Sequence, residues 1–477
     1  MFFKKKFHRI ISMFCVAVLL LPMVLGLSVS AAEKRYLGYP VNLLIGEKLP
    51  VNSFVDEKGK AAKIEIAEGQ YTLITYWASW CPDCQEELAY LPQLKEVLKD
   101  YPNVKWYLVD RVDGQDESIQ SGSEYIKKLN LGLPVLYDQN LTFRNAIGIR
   151  EIPTTILLNP QGELVLATSE IIKSQGNLRA MLDYATKGRG KATEDYVSKN
   201  LLVSDGSVKQ SADSAKKSTQ AQSILAEYAA VKKNTTILNQ QKSWLAKNSG
   251  LTGDLGDDLR MYGAFSGVQG YEQDAKTLSA AIIKKYFQGN KLNGTVSLSD
   301  LNLEQISKLG VNGLADQALS VVQKGYISAD FPFYYTQYNT KTGKYDQGVV
   351  DMTESLLTVY HLAKQGKVKQ QTLDWLSNAV NTNGIFAKYK KDGTPVSRYQ
   401  YETPGIYALT ALIALETGEK SLFTQSVILM EKSRTFQTTS ESNGAFSSKN
   451  SDKALDNCLP LLLYASMEQK GRSPLAF

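Results

Sequence analysis

The chain has 477 residues, 43% hydrophobic and 21% charged, proportions of a globular protein too long for a single core. Its net charge is +6, but Lys4, Lys5, Lys6 and Arg9 supply four of the 54 basic side chains before the first acidic residue, Glu33, so the remainder sets 50 against 48 acidic ones. That balance gives no support for a nucleic-acid binder, which needs a clustered positive field, and with only two histidines, His8 and His361, a histidine-built metal centre or a Ser-His-Asp hydrolase is not expected.

The first element is a leader, "MFFKKKFHRIISMFCVAVLLLPMVLGLSVSAAEK". A basic start, an apolar run interrupted by Pro22 and Gly26, and small residues at Val29-Ser30-Ala31 predict a secretory signal over 1–31, cut after Ala31. An uncleaved membrane anchor is the other reading, since the apolar run is almost long enough to span. Either places the rest outside the cytoplasm, secreted or at the cell surface. Cys15 lies inside the apolar run and is a poor lipidation site.

Residues 36–186 alternate strand-like and helix-like segments. "YTLITYW" (71–77), "VKWYLVD" (104–110), "PVLYD" (134–138), "TTILLN" (154–159) and "ELVLATS" (163–169) are rich in β-branched and aromatic residues and predict strands. Residues 82–99 set Leu88, Leu91, Leu94 and Leu98 on one helical face, with Pro92 expected to kink or break the helix. Segments 117–130 and 140–147 also suit helices. The alternation predicts an α/β layer fold.

"WCPDC" (80–84) falls where the first of these strands gives way to a helix. The unpaired N–H groups of a helix start stabilise a sulfur anion at Cys81, Pro82 suits the first helical turn, and Cys84 lies one turn on, within bonding reach. Cys81 would attack a disulfide and Cys84 would resolve the mixed disulfide. Zinc would need two further ligands, and only Cys458 and His361 are available, so no metal is expected. A structural disulfide is the reading that stays open beside the redox one. Nothing in the pattern calls for a cofactor.

"TLITYWASWCPDCQEELAYLPQL" resembles the active-site strand and helix of thioredoxin-like proteins, most closely the exported TlpA/ResA type, with Glu87 three residues after the second cysteine. "GIREIPTTILLNPQGELV" (148–165) is similar to the second hallmark of that family, a loop with a cis proline, here Pro153. The resemblance covers roughly 40–186. It implies a thiol–disulfide oxidoreductase in which Trp80 and Pro82 flank the reactive sulfur, and in which the backbone of Ile152 pairs with an extended substrate strand. Thioredoxin carries a buried aspartate where this chain has Thr75, so Glu87 or water would have to move the proton of Cys84. Asp83 places a negative charge between the cysteines and favours a reductant or isomerase over a strong oxidant. The implied partners are protein or small-molecule disulfides and thiols, with a membrane electron donor to restore the pair.

Residues 187–222 are polar, almost without large apolar side chains past Val208, and predict a flexible linker. From 223 to 477 the pattern is helical. "SLLTVYHLAKQG" (355–366) ends on Gly366; "TPGIYALTALIALETG" (403–418) opens with Thr403 as cap and Pro404 in the first turn; "SLFTQSVILMEKS" (421–433) follows. The stretches "GDLGDDLRMYGAF", "TVSLSDLNLEQISKL", "FPFYYTQYNTKTGKY" and "RYQYETPGIYALTALIALETGE" are together similar to the (α/α)6 barrel of family 8 glycoside hydrolases, a six-hairpin glycosidase-like architecture. That resemblance implies an inverting pair of carboxylates roughly 6.5–9.5 Å apart. Asp258, four residues before Tyr262-Gly263, matches the acid, Asp300 the residue that holds a distorted sugar, and Glu402 the base. The family has Glu at the first position, Asp at the third, and an Arg near the third that is absent here, so catalysis, glycan binding without turnover, and a purely structural role for each residue stay open. The partner on this reading is a surface polysaccharide. Phe331, Phe333, Tyr334, Tyr335, Tyr338 and Tyr345 could stack on sugars or form the packed rim of a helical barrel, the packed reading being favoured for the two Phe residues, and Cys458 suits a packed interior.

Overall fold

Runs of β-branched and aromatic residues build a central sheet. Its strands are β1 (Phe54–Val55), β2 (Ala61–Ala62), β3 (Tyr71–Trp77), β4 (Val104–Val112), β5 (Val135–Gln139), β6 (Thr154–Leu158) and β7 (Leu164–Thr168). The computed structural model describes residues 39–447 and 453–470, all within one compact unit; the expected leader lies outside the described residues. Strand order is β2-β1-β5-β4-β3-β6-β7, with β3, β4 and β5 parallel and β6, β7 and β1 antiparallel to their neighbours. Period-two alternation sends Leu73 and Trp77 into one apolar layer and Ile74 and Tyr76 into the other. The two-residue strands β1 and β2 carry no such period and escape a sequence reading.

Helices cover both faces: α1 (Pro82–Leu94), α2 (Ile119–Leu129), α3 (Thr142–Ile147) and α4 (Gln175–Thr186). Pro92 does not end α1 at its own position. The helix runs on to Leu94 and then tightens into a 3-10 segment, Lys95–Asp100, as befits a chain that has lost one backbone donor.

The expected linker 187–222 is folded. It holds α5 (Lys191–Tyr196), a π-type turn (Val197–Leu201) and isolated bridges Leu202↔Val208, Lys209↔Lys217 and Ser211↔Lys453. Tyr196, Val197, Leu201 and Val208 are buried, and Thr193 donates to the Gly444 carbonyl at 2.7 Å. Partners distant in sequence satisfy its backbone, which composition alone does not reveal.

The rest is largely helical: α6 (Thr219–Lys232), α7 (Thr235–Lys247), α8 (Leu255–Ser266), α9 (Glu272–Tyr286), α10 (Leu303–Lys308), α11 (Leu314–Lys324), α12 (Met352–Ala363), α13 (Gln370–Asn381), α14 (Pro404–Thr417), α15 (Lys420–Glu431) and α16 (Ala454–Gln469). Neighbour packing runs from α6 to α8, to the turn Leu298–Asp300 and α10, to α12, α14, α16 and back to α6. α14 shows why: Thr403 caps it, Gly418 ends it at φ 79°, and it is apolar on every side, so it can only be central. Ile406, Leu409, Leu412 and Ile413 are wholly buried, each contributing roughly 1.5–3 kcal/mol. Among the described residues no helix is long and apolar enough to cross a membrane.

The sheet and the helical part share one continuous core. Arg434 lies 4.8 Å from the ring centroids of both Tyr184 and Phe436, and Tyr184 donates to Glu431 at 2.8 Å. Asn177 donates to the Phe436 carbonyl at 2.8 Å, and Ile428 of α15 packs into the second apolar layer of the sheet.

Candidate functional site

β3 ends at Trp77, and three residues later the chain turns into α1. Cys81 is the cap: its extended backbone (φ −81°, ψ 119°) leaves the sulfur facing the first turn, where it accepts the Cys84 N–H at 3.2 Å. Pro82 takes the first helical position, where its missing N–H costs nothing. Cys84 is fully buried, whereas Cys81 keeps 5% of its surface, so reagents reach the pair through Cys81. Cys81 Sγ lies 3.6 Å from the Ile152 carbonyl, and the Ile152–Pro153 peptide is cis. Trp80 is 44% exposed at the rim, with the Arg111 guanidinium 5.3 Å from its ring centroid.

A network fixes this turn. Glu117, buried, accepts from Ser79 N–H at 2.6 Å and from the Ser79 hydroxyl at 3.0 Å, and Gln85 donates to the Ser79 carbonyl at 2.6 Å. Asp110, opposite Trp77 on β4, is pushed up to about 9 by burial and then by the Glu117 charge, so it stays neutral at ordinary pH. A Cβ on Gly122 would lie 1.9 Å from Asp110 Oδ2, so only glycine fits there. Neither Glu117 nor Asp110 stood out in the sequence; the available signal was a carboxylate at the end of β4 and another opening the next helix.

Burial, and then the hydrogen bond with Cys81, raises the Cys84 thiol far above its ordinary value. Glu87, one helical turn after Cys84, is raised from 4.5 to about 7 by burial. It accepts the Ile172 N–H at 3.1 Å and the Thr155 hydroxyl at 3.4 Å. Thr155 in turn meets the Thr75 hydroxyl at 3.4 Å, and Trp106 Nε1 donates to Thr75 at 3.1 Å. Glu87 of α1 and Thr75 of β3 are thus joined through the Thr155 hydroxyl.

The three carboxylates singled out in the helical part have different surroundings. Asp258 is wholly buried, one oxygen accepting from Tyr286 Oη and the other from Thr252 N–H, each at 2.6 Å. Glu402 is exposed and takes a hydrogen bond from Tyr407. Asp300 is raised to about 8 by burial and then by Asp254, with Glu354 and Asp257 adding to it and Arg260 opposing. The sequence reading missed Asp254, Asp257 and Glu354, which stand at or beside the N-terminal ends of α8 and α12. Arg260 pairs with Asp257 at 2.9 Å, both buried. A Cβ on Gly256 would lie 2.8 Å from Asp300 Oδ1, so α8 and the 298–300 turn meet closely. Phe331, Phe333 and Tyr334 are core residues, while Tyr335 stacks on Tyr345 at 5.4 Å. Cys458 is buried within α16, its thiol pushed up to about 12 by burial.

A sheet of this order, with two cysteines opening the helix after β3 and a cis proline facing them, defines a thioredoxin-like α/β domain. Residues 45–167 match the AhpC/TSA family. The chain is similar to the thiol-disulfide oxidoreductase ResA of Halalkalibacterium halodurans, 28% identical over 110 residues, covering 23% of this chain and 60% of that protein. It is similar also to the sporulation thiol-disulfide oxidoreductase A of Bacillus subtilis, 33% identical over 99 residues, covering 20% of this chain and 58% of that protein. The chain thus spans less than two thirds of the length of either. Among solved structures it resembles one described as a novel alpha-amylase from Clostridium perfringens, with TM-score 0.53 and 20% identity, over 59% of this chain and 98% of that one. That likeness is one of fold alone.

Proposed function

We propose that the chain is an extracytoplasmic thiol–disulfide oxidoreductase, working as a reductant or isomerase through Cys81 and Cys84. The observation that carries this reading is the Cys84 N–H placed 3.2 Å from Cys81 Sγ at the start of α1, with Cys84 sealed beneath. The Cys81 thiolate attacks a substrate disulfide, one sulfur of which leaves as thiolate, and a Cys81–substrate mixed disulfide forms. Cys84 gives up its proton towards Glu87 and attacks Cys81 Sγ. The second substrate thiol departs, the substrate has gained two electrons, and Cys81–Cys84 is oxidised. Trp80, Pro82, Ile152 and Pro153 shape the approach, and the Ile152 backbone pairs with the incoming strand. A thiol donor, supplied from a membrane partner, restores the pair. On this reading the leader 1–31 exports the chain, 36–186 is the redox part and 223–477 the helical part, with the folded segment between them joining the two.

Insulin reduction by the full chain tests the proposal. The wild type accelerates it in the presence of a thiol donor, and Cys81→Ser brings the rate to background. Equal rates in both would remove the proposal.

A second reading concerns the helical part, and the fold likeness at TM-score 0.53 supports it. The ring of α6, α8, α10, α12, α14 and α16 is that of an (α/α)6 barrel serving a glycan, as tether or as hydrolase. Asp300, with Asp254 and Glu354 beside it, is then a better acid candidate than Asp258, whose oxygens are already occupied, while Glu402 stays accessible as a base. Sugar release from surface glycans by the full chain, lost in Asp300→Asn, supports the hydrolase. Retention on the glycan without release supports the tether.

A further inference from the structure

The sheet and the helical part enclose a crevice of about 730 Å³, within the range of ligand pockets and far larger than a water site. One wall is the sheet edge β7 with Ser169–Ile172 and Glu151; the other is Val427, Ile428 and Lys432, at the end of α15 and just beyond. Two of its residues connect it to the cysteine pair. Glu151 precedes Ile152, whose carbonyl lies 3.6 Å from Cys81 Sγ, and Ile172 gives its N–H to Glu87 at 3.1 Å. The lining combines an apolar base with the exposed side chains of Glu151, Glu170 and Lys432 at its rim, the mix suited to a polypeptide rather than to a lipid or a metal ion.

We infer that this crevice is the subsite for the polypeptide that flanks the substrate disulfide, so the helical part supplies one wall of the substrate site and selects which disulfides reach Cys81. The inference rests on the redox reading. A strand paired with Ile152 runs on past Glu151 into the crevice, where main-chain groups meet the edge of β7 and side chains meet Val427 and Lys432. A peptide that continues on the correct side of its cysteine extends further along the crevice than glutathione disulfide does. The helical part therefore discriminates by substrate length, which a thioredoxin-like domain without that wall cannot do.

Trapping tests this in the full chain. Cys84→Ser stops the reaction at the mixed disulfide, and a benzoylphenylalanine in place of Lys432 then reports what lies beside the α15 wall. With a ten-residue peptide carrying an activated disulfide, irradiation should give an adduct that survives dithiothreitol, and with activated glutathione none. A mixed disulfide that forms in full while the peptide stays uncrosslinked would overturn the subsite and leave the redox reading standing. A crosslink to residues 1–38, which lead into Tyr39 on the crevice lining, would overturn it too, since the chain's own segment would then be the occupant. Absence of any mixed disulfide at Cys81 would remove both readings together.

Discussion

The carboxyl of Glu87 on α1 and the hydroxyl of Thr155 on β6 lie 3.4 Å apart, and through them Glu87 reaches the neighbourhood of Thr75, where the strand offers no acid of its own. A carboxyl held there carries a measurable cost. Its folded value is raised from 4.5 to about 7, so the fold binds its proton more tightly than the unfolded chain does. The favourable contribution is complete below about pH 4.5 and is lost as pH rises to about 7. Glu87→Gln should therefore be more stable than wild type at pH 8 by a margin on the order of 3 kcal/mol, shrinking to nothing near pH 4. Urea denaturation at the two pH values checks it.

The same substitution bears on turnover. Cys84 is buried and its thiol strongly raised, so it needs a nearby proton acceptor. Disulfide reduction should rise with pH through about 7 in the wild type, and in Glu87→Gln that limb should disappear with a rate loss of roughly 100-fold. A pH–rate profile under single-turnover conditions separates this from a stability effect.

Asp83 is exposed between the cysteines, where its charge opposes an anion at the helix start. Replacing it with lysine should make the pair more oxidising by roughly 10–30 mV, read by equilibration against glutathione.

Gly122 faces Asp110 so closely that a methyl group has no room. Gly122→Ala should cost about 2–3 kcal/mol of stability and loosen the Ser79 turn that Glu117 holds. Gly310, at φ 71° with nothing within 4 Å of its would-be Cβ, gives the contrast: alanine there meets backbone strain but no clash.

Arg434 is buried among Tyr184, Phe436 and Glu431, where the thioredoxin-like and helical parts meet. Arg434→Ala should cost about 3–5 kcal/mol, because it removes a buried cation that packs on the rings of Tyr184, Phe436 and Phe446 and faces Glu431 at 3.7 Å. Since the core is continuous across that boundary, both parts should unfold in one transition in the wild type. Calorimetry and near-UV dichroism report this.

What the sequence discloses is what is local. The five strands from 71 to 169 show their composition, the cap and proline of α1 sit inside "WCPDC", and Pro153 belongs to a recognisable loop. The segment 187–222 misleads because its order comes from distant partners: Gly444 for Thr193, and Lys453 for Ser211. The spacing of Asp258 from Tyr262-Gly263 marks a helix but not which way its carboxylate turns, and it turns to Tyr286. Asp254, Asp257 and Glu354 come near Asp300 only through the packing of α8 and α12, which no short motif encodes.

The most direct test of the central claim is mass spectrometry of the reduced chain after exposure to a disulfide substrate. The account predicts a loss of two hydrogens confined to the peptide that holds Cys81 and Cys84, with Cys458 still a free thiol. A chain that stays fully reduced, or oxidises at Cys458 instead, would contradict it.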